Sequence, residues 1–170
     1  DAHQTALTVI FTSYILHIGE GAEVVLAHPA RPFLSRVPAA WDETRVLEAY
    51  PAAFVTMARR KGDEWYVGGI CARRPRNASL CLDFLEEGIT YTATLYADDL
   101  SDERPFDVAE GALPKPDAAL VASLEAMSQR PAHHQHDMHA MSISTLNVKK
   151  GDVLTIPMSV NGGFAMVLEK

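Results

Sequence analysis

"AFVTMARRKGDEWYVGGICA" occupies residues 53–72 and decides the class of fold. In its first half Phe54, Thr56 and Ala58 alternate with Val55 and Met57, the period of two of a half-buried strand. "KGDE" at 61–64 has turn chemistry, and "EWYVGGICA" resumes as a second strand, so the spacing predicts a β-hairpin. Toward the C-terminus the pattern repeats. "ASLCLDFL" (78–85) puts Leu80, Leu82 and Phe84 on one face, and "EEG" turns the chain. In "ITYTATLYADD" (89–99) Ile89, Tyr91, Ala93 and Leu95 alternate with Thr90, Thr92, Thr94 and Tyr96. That is the cleanest strand pattern in the chain. "STLNVKKGDVLTIPMSV" (144–160) forms strand, turn and strand, and "GGFAMVLEK" closes with Phe164, Met166 and Leu168 on one side. Short strands at regular spacing predict an antiparallel β-sandwich of about seven or eight strands.

Toward the N-terminus the pattern changes. In "DAHQTALTVIFTSYILHI" (1–18), Ala2, Ala6, Val9, Ile10 and Ser13 fall on one helical face, widened by Leu7 and Phe11. A short buried strand at "YILHI" is expected to follow, broken by Gly19 and Gly21. Pro29 and Pro32 cut residues 22–35 into short helical or irregular pieces. An apolar helix at the start needs a packing partner, so the chain is expected to be the tail of a longer protein. Its apolar side chains Ala6, Leu7, Val9, Ile10 and Phe11 are expected to stay partly uncovered and to drive two copies together. The expected domains are a helical segment and linker over 1–50 and a sandwich over 51–170, with an insertion at about 106–142. A short helix is expected within the insertion, at "PKPDAALVASLEAMSQRP" (114–131).

The 170 residues suffice for one domain with a real core. A net charge of −7 argues against nucleic acid, which rewards positive charge. No apolar run reaches the roughly 20 residues of a membrane span. Cys71 and Cys81 make no disulfide framework and are expected to be small buried side chains.

Few residues point to chemistry. His133, His134, His136 and His139 lie close together with Asp137, ligands suited to zinc or nickel, but no second ligand cluster accompanies them. A solvated loop is the preferred reading. Glu20, Glu23, Asp42 and Glu43 are carboxylates of the kind glycosidases pair, yet nothing in their spacing makes two face each other. A cap and surface charge are preferred. "NAS" at 77–79 matches a glycosylation sequon by chance, and Arg73, Arg74 and Arg76 are expected to form local ion pairs.

The order of several elements carries a resemblance. Trp41, Asp42, Glu43, Thr44 and Arg45 form "WDETR"; Ala58, Arg59, Arg60 and Lys61 form "ARRK"; Trp65, Tyr66, Val67 and Gly68 form "WYVG". "LDFLEEGITYTATLYADD" follows, and Phe164 closes "NGGF". Together these resemble the C-terminal region of glycoside hydrolase family 97, the α-glucosidase and α-galactosidase family. "AHQTALTVIFTS" is similar to that family's last barrel helices, whereas Ile15 to Phe33 match poorly and the stretch from Phe106 to Ser142 is longer than usual.

The resemblance implies a β-sandwich preceded by the helical remnant of a (β/α)8 barrel. It implies no catalytic and no cofactor-binding residue in this chain, with calcium bound elsewhere in the intact enzyme. The implied role is a non-catalytic module that packs on the barrel and supports homo-oligomers, in a bacterial periplasmic or extracellular enzyme. A different class remains open beside it: a free-standing carbohydrate- or protein-binding module using exposed Trp41, Trp65 or Tyr96. Least favoured is an enzyme using Glu20 or Glu43.

Overall fold

The computed structural model describes residues 2–13, 15–19, 21–100 and 141–170. These residues belong to one of the chain's two compact units, formed by Asp1–Phe106 and His139–Lys170. Eight strands follow three short helices: α1 (Ala2–Ile10), α2 (Ala22–Ala27), α3 (Arg31–Leu34), β1 (Glu43–Tyr50), β2 (Phe54–Lys61), β3 (Glu64–Cys71), β4 (Arg76–Cys81), β5 (Thr90–Asp98), β6 (Met141–Lys149), β7 (Val153–Met158) and β8 (Gly163–Glu169). Six form one antiparallel sheet in the order β1-β2-β3-β8-β5-β6, and β4 and β7 pair as a second.

The predicted hairpin is β2–β3, in register from Phe54↔Cys71 to Lys61↔Glu64. Gly62 turns it at φ +58°, a conformation that side chains with a Cβ resist. Between the two sheets lies the larger core: Trp65, Val67, Tyr91, Phe164, Met166 and Leu168 from the large sheet meet Leu80, Ile156 and Met158 from the small one. This is the expected β-sandwich. β8 sits centrally with Gly163 to Leu168 all buried, which explains its nearly unbroken apolar sequence.

The opposite face of the large sheet is covered too. Val9 and Phe33 from the helices, with Ala30 just before α3, pack there on Tyr66, Tyr96, Ala165 and Val167. The helix face that packs is small: Ala2, Thr5, Ala6 and Val9 are buried. The sheet is carved to match. A Cβ at Gly68 would lie 2.8 Å from the Ala6 carbonyl oxygen and 3.0 Å from Val9 Cβ, and one at Gly163 would lie 2.9 Å from His3 Cα. On the other side, a Cβ at Gly69 would overlap the ring of Phe164, its neighbour across the β3–β8 ladder. The two consecutive glycines therefore open opposite faces of one strand.

Several expectations give way. Ala6 and Val9 are fully covered by the sheet, so the α1 face offered above for association is already occupied; of that set Phe11 stays 51% exposed. The helix had only to turn its small side chains inward. No strand forms at "YILHI" among the described residues, and Ile15 is 83% exposed, because no sheet edge is there to pair it. The sheet starts at Glu43, earlier than the expected residue 51, since β1 pairs along β2 from Glu43↔Arg60 to Tyr50↔Phe54. Charges at Glu43, Arg45 and Glu48 hide the strand period in β1. Cys71 is buried as expected, but Cys81 is exposed on β4. The helix expected at 114–131 lies outside the described residues.

The glycine pair yields a test. Gly69→Ala forces the Phe164 ring aside, and Gly68→Val pushes α1 off the sheet. Each is expected to lower unfolding stability by about 1–3 kcal/mol, the usual cost of overpacking. Urea denaturation measures it, and midpoints equal to wild type for both would contradict the packing described.

Candidate functional site

The motif residues converge at one end of β1, β2 and β3, where the N-terminal segment meets the sheet. Alternation along the strands sends them to two faces. Trp65 points into the sandwich core, where its ring lies 4.6 Å from that of Phe84. Arg45 and Arg60 cover it, their guanidinium carbons 5.7 and 5.9 Å from the ring centre. Tyr66, the next residue, points to the helical face. Its ring meets Trp41 edge-on at 5.3 Å and Phe33 at 5.7 Å, and Phe33 continues to Tyr96 at 5.4 Å.

Polar contacts lock this aromatic row. Arg59, buried on β2, lies 5.3 Å over Trp41 and donates from Nη1 to the Phe11 carbonyl at 3.0 Å. It thereby ties the end of α1 to the sheet. Arg36 bridges Glu64 at 2.5 Å and Glu169 at 2.6 Å, joining the chain after α3 to β3 and β8. The Tyr66 hydroxyl donates to Glu64 at 2.6 Å, and burial and that carboxylate push its pKa well above the usual tyrosine value.

Two of the acidic candidates, Asp42 and Glu43, are engaged in ion pairs. Asp42 accepts from the Gly62 amide at 2.8 Å and from Lys61 at 2.9 Å, so it fastens the β2–β3 turn. Glu43 accepts from Arg45 at 2.6 Å and Arg60 at 3.2 Å. Hydrogen bonds from the Gly62 amide and Lys61 hold the Asp42 carboxyl below its ordinary value, and those from Arg45 and Arg60 do the same for Glu43. A general acid needs its pKa raised toward neutrality, and these two carboxylates are shifted the other way. Thr44 on β1 is exposed, and Gly68 and Phe164 serve the packing already described. Glu23 lies on α2, which buries none of its residues; Glu20 lies outside the described residues.

The aromatics named for the carbohydrate-binding alternative are not freely exposed. Trp65 and Tyr96 are only 3% and 5% exposed, and half-buried Trp41 is sandwiched by Tyr66 and Arg59. The core needs their area more than solvent does. The histidines His133, His134, His136 and His139 lie outside the described residues. Among the described residues no group of three His, Cys, Asp or Glu side chains converges to hold a metal ion. No helix among them is long and apolar enough to cross a membrane.

One residue escaped the sequence reading. Asp98, buried at the end of β5, accepts from the Ser159 hydroxyl at 3.0 Å, the Ser159 amide at 3.3 Å and the Gly163 amide at 3.1 Å. It braces the β7–β8 connection, and a Cβ on Gly162 would strike its carboxylate. Two adjacent aspartates at a strand end were its only signal. Arg76, expected in a local ion pair, bridges Glu48 at 2.9 Å and lies over Phe54.

Known proteins are similar to this chain. A family model described as glycosyl-hydrolase 97 C-terminal, oligomerisation, matches residues 40–127. A retaining α-galactosidase from Bacteroides thetaiotaomicron is 34% identical over 102 residues, 59% of this chain and 15% of that protein. A probable retaining α-galactosidase from Streptomyces bingchenggensis is 37% identical over 83 residues, 48% of this chain and 13% of the relative. The structure of a glycoside hydrolase family 97 enzyme from Pseudoalteromonas sp. strain K8, in complex with acarbose, superposes with a TM-score of 0.73 at 25% identity. It covers 99% of this chain, and this chain covers 22% of it. This chain thus spans less than a quarter of the relatives and structures it matches.

Two outcomes follow from these contacts. Asp42, Glu43, Asp63 and Glu169 all have pKa values depressed by their cationic or amide donors. A depressed carboxylate stabilises the fold above its unfolded pKa, here 3.8 to 4.5, and loses that contribution as pH falls through the lower folded value. The urea midpoint should fall between pH 6 and pH 3, and fall less in Asp42→Asn. An identical pH dependence in that variant would remove the role given to Asp42.

The second outcome concerns the thiols. Burial pushes Cys71 up to about 11, and its Sγ donates to the Ser159 carbonyl. At pH 8 a thiol reagent should label Cys81 in the native chain and Cys71 only on unfolding; equal native labelling of both would count against the packed core.

Proposed function

This chain belongs to the C-terminal family of glycoside hydrolase family 97, and on that premise we propose that it is the non-catalytic C-terminal module of such an enzyme. In this reading it packs on the enzyme's catalytic barrel and supports homo-oligomer formation. Hydrolysis of the α-linked sugar is assigned to the part of the enzyme outside this chain.

One observation carries the packing. Between α1 and α3 the chain presents an uncovered apolar run: Phe11, Ile15, Ile18, Val24 and Leu26 are 46–83% exposed, and α2 buries none of its residues. So many large apolar side chains in one short segment mark a surface made for a partner. The 78% of the similar Pseudoalteromonas enzyme that this chain does not span supplies a partner of the right kind. Residues 1–42, before the sheet begins, form the barrel-facing segment in this reading, and the sandwich begins at Glu43. The paired state of Asp42 and Glu43 supports the non-catalytic assignment.

The test uses the chain together with the Pseudoalteromonas enzyme truncated before the region it matches. The chain should bind that truncated enzyme, and Ile15→Asp with Leu26→Asp should weaken binding at least tenfold while leaving the melting temperature unchanged. Undiminished binding by the double variant would move the contact elsewhere, and absence of binding by the wild-type chain would count against the packing role. Alone, the chain should show no turnover of aryl α-glucosides or α-galactosides. Saturable hydrolysis that disappears in Glu43→Gln would overturn the non-catalytic reading.

A further inference from the structure

We propose that β6 is the strand through which two copies of this chain join, edge to edge and antiparallel about a two-fold axis. The proposal rests on the oligomerisation reading above and names its surface.

Among the described residues the large sheet ends at β1 on one side and β6 on the other. An edge strand offers unpaired backbone N–H and C=O groups to any strand that approaches, and proteins blunt such edges with charges, bulges or proline. β1 is blunted twice. It carries Glu43, Arg45 and Glu48, and its register slips between Val46 and Glu48. In the small sheet β7 carries Pro157, and β4 begins with Arg76.

β6 has none of these devices. Its nine residues, "MSISTLNVK", contain no proline or glycine, and their single charge is Lys149 at the end. It runs against β5 without a slip, from Asp98↔Met141 to Thr90↔Lys149. Ser142, Ile143, Ser144, Thr145 and Asn147 are exposed, Ile143 by 49%. Among the described residues no strand lies on its outer side.

The strand is also suited to itself. A two-fold axis through Thr145 sets Thr145 against its own copy, Ile143 against Asn147 and Ser144 against Leu146. No like charges meet in that pairing, since Lys149 falls opposite Met141. A threonine pair of this kind stabilises an antiparallel ladder. Charge selects the same edge. Each copy carries a net charge of −7, so two copies approach with least repulsion along a nearly neutral strand. The paired sheets would form one continuous sheet of twelve strands, an isologous contact of the kind that closes a dimer.

Light scattering and sedimentation at micromolar concentration test this on the whole chain. The wild type should give twice the 18.6 kDa chain mass. Thr145→Lys and Thr145→Glu should each weaken self-association at least tenfold, because like charges then face across the axis. An equal mixture of the two should restore the dimer. Ile143→Lys, also at an exposed position, should weaken it as well, and circular dichroism with thermal melting verifies that each variant folds. Val46→Lys on β1 should leave the dimer intact. If the wild type is a dimer that survives every folded β6 variant, the interface lies elsewhere and this proposal falls while the oligomerisation reading stands. A monomeric wild type at these concentrations removes both.

Discussion

The close approach of two strands and one helix around Gly68, Gly69 and Gly163 governs this molecule. β3 and β8 are neighbouring strands with a hydrophobic cluster on each face. That double burial demands small residues where partners come close. Gly69 makes room for the Phe164 ring on the sandwich side, while Gly68 and Gly163 let α1 lie nearly on the backbone. The matching helix face, Ala2, Thr5, Ala6 and Val9, is correspondingly small. Side chains here would separate the layers, and each cluster would lose contacts that depend steeply on distance.

The polar residues continue that plan. Arg59 and Arg36 hold the helical segment against the sheet through the Phe11 carbonyl, Glu64 and Glu169, and the aromatic row from Trp41 to Tyr96 fills the gap between them. Exposed ion pairs of this type contribute little individually, about 0–1 kcal/mol. Their value is orientation: they set the angle at which the N-terminal segment leaves the sheet.

The two sides of the structure therefore offer different surfaces. The helical face carries the uncovered apolar run from Phe11 to Leu26, whereas the far sheet edge is neutral, regular and polar. An apolar surface suits a permanent partner within one chain, because its burial is non-directional and strong. A neutral strand edge suits an identical copy, because backbone hydrogen bonds supply direction and register.

Period-two alternation from Phe54 to Asp98 and from Thr145 to Leu168 sufficed to place the strands and the sandwich, because each such strand buries one patterned face. The motif order from Trp41 to Phe164 sufficed for the family. β1 escaped because its outer side faces solvent and its charges obscure the period. The helical face of α1 through Ala2, Ala6 and Val9 was legible, but not its partner: the glycine groove of the sheet covers that face, which the sequence suggested would stay open for a second copy. The fate of Trp65, Tyr96 and Asp98 was likewise undecided, since an aromatic or a carboxylate has the same letter whether it binds a ligand or braces a core. Only the pairing of β3 with β8, far apart in sequence, put Trp65 in one cluster and Tyr66 in the other, because adjacent residues on a strand point to opposite faces.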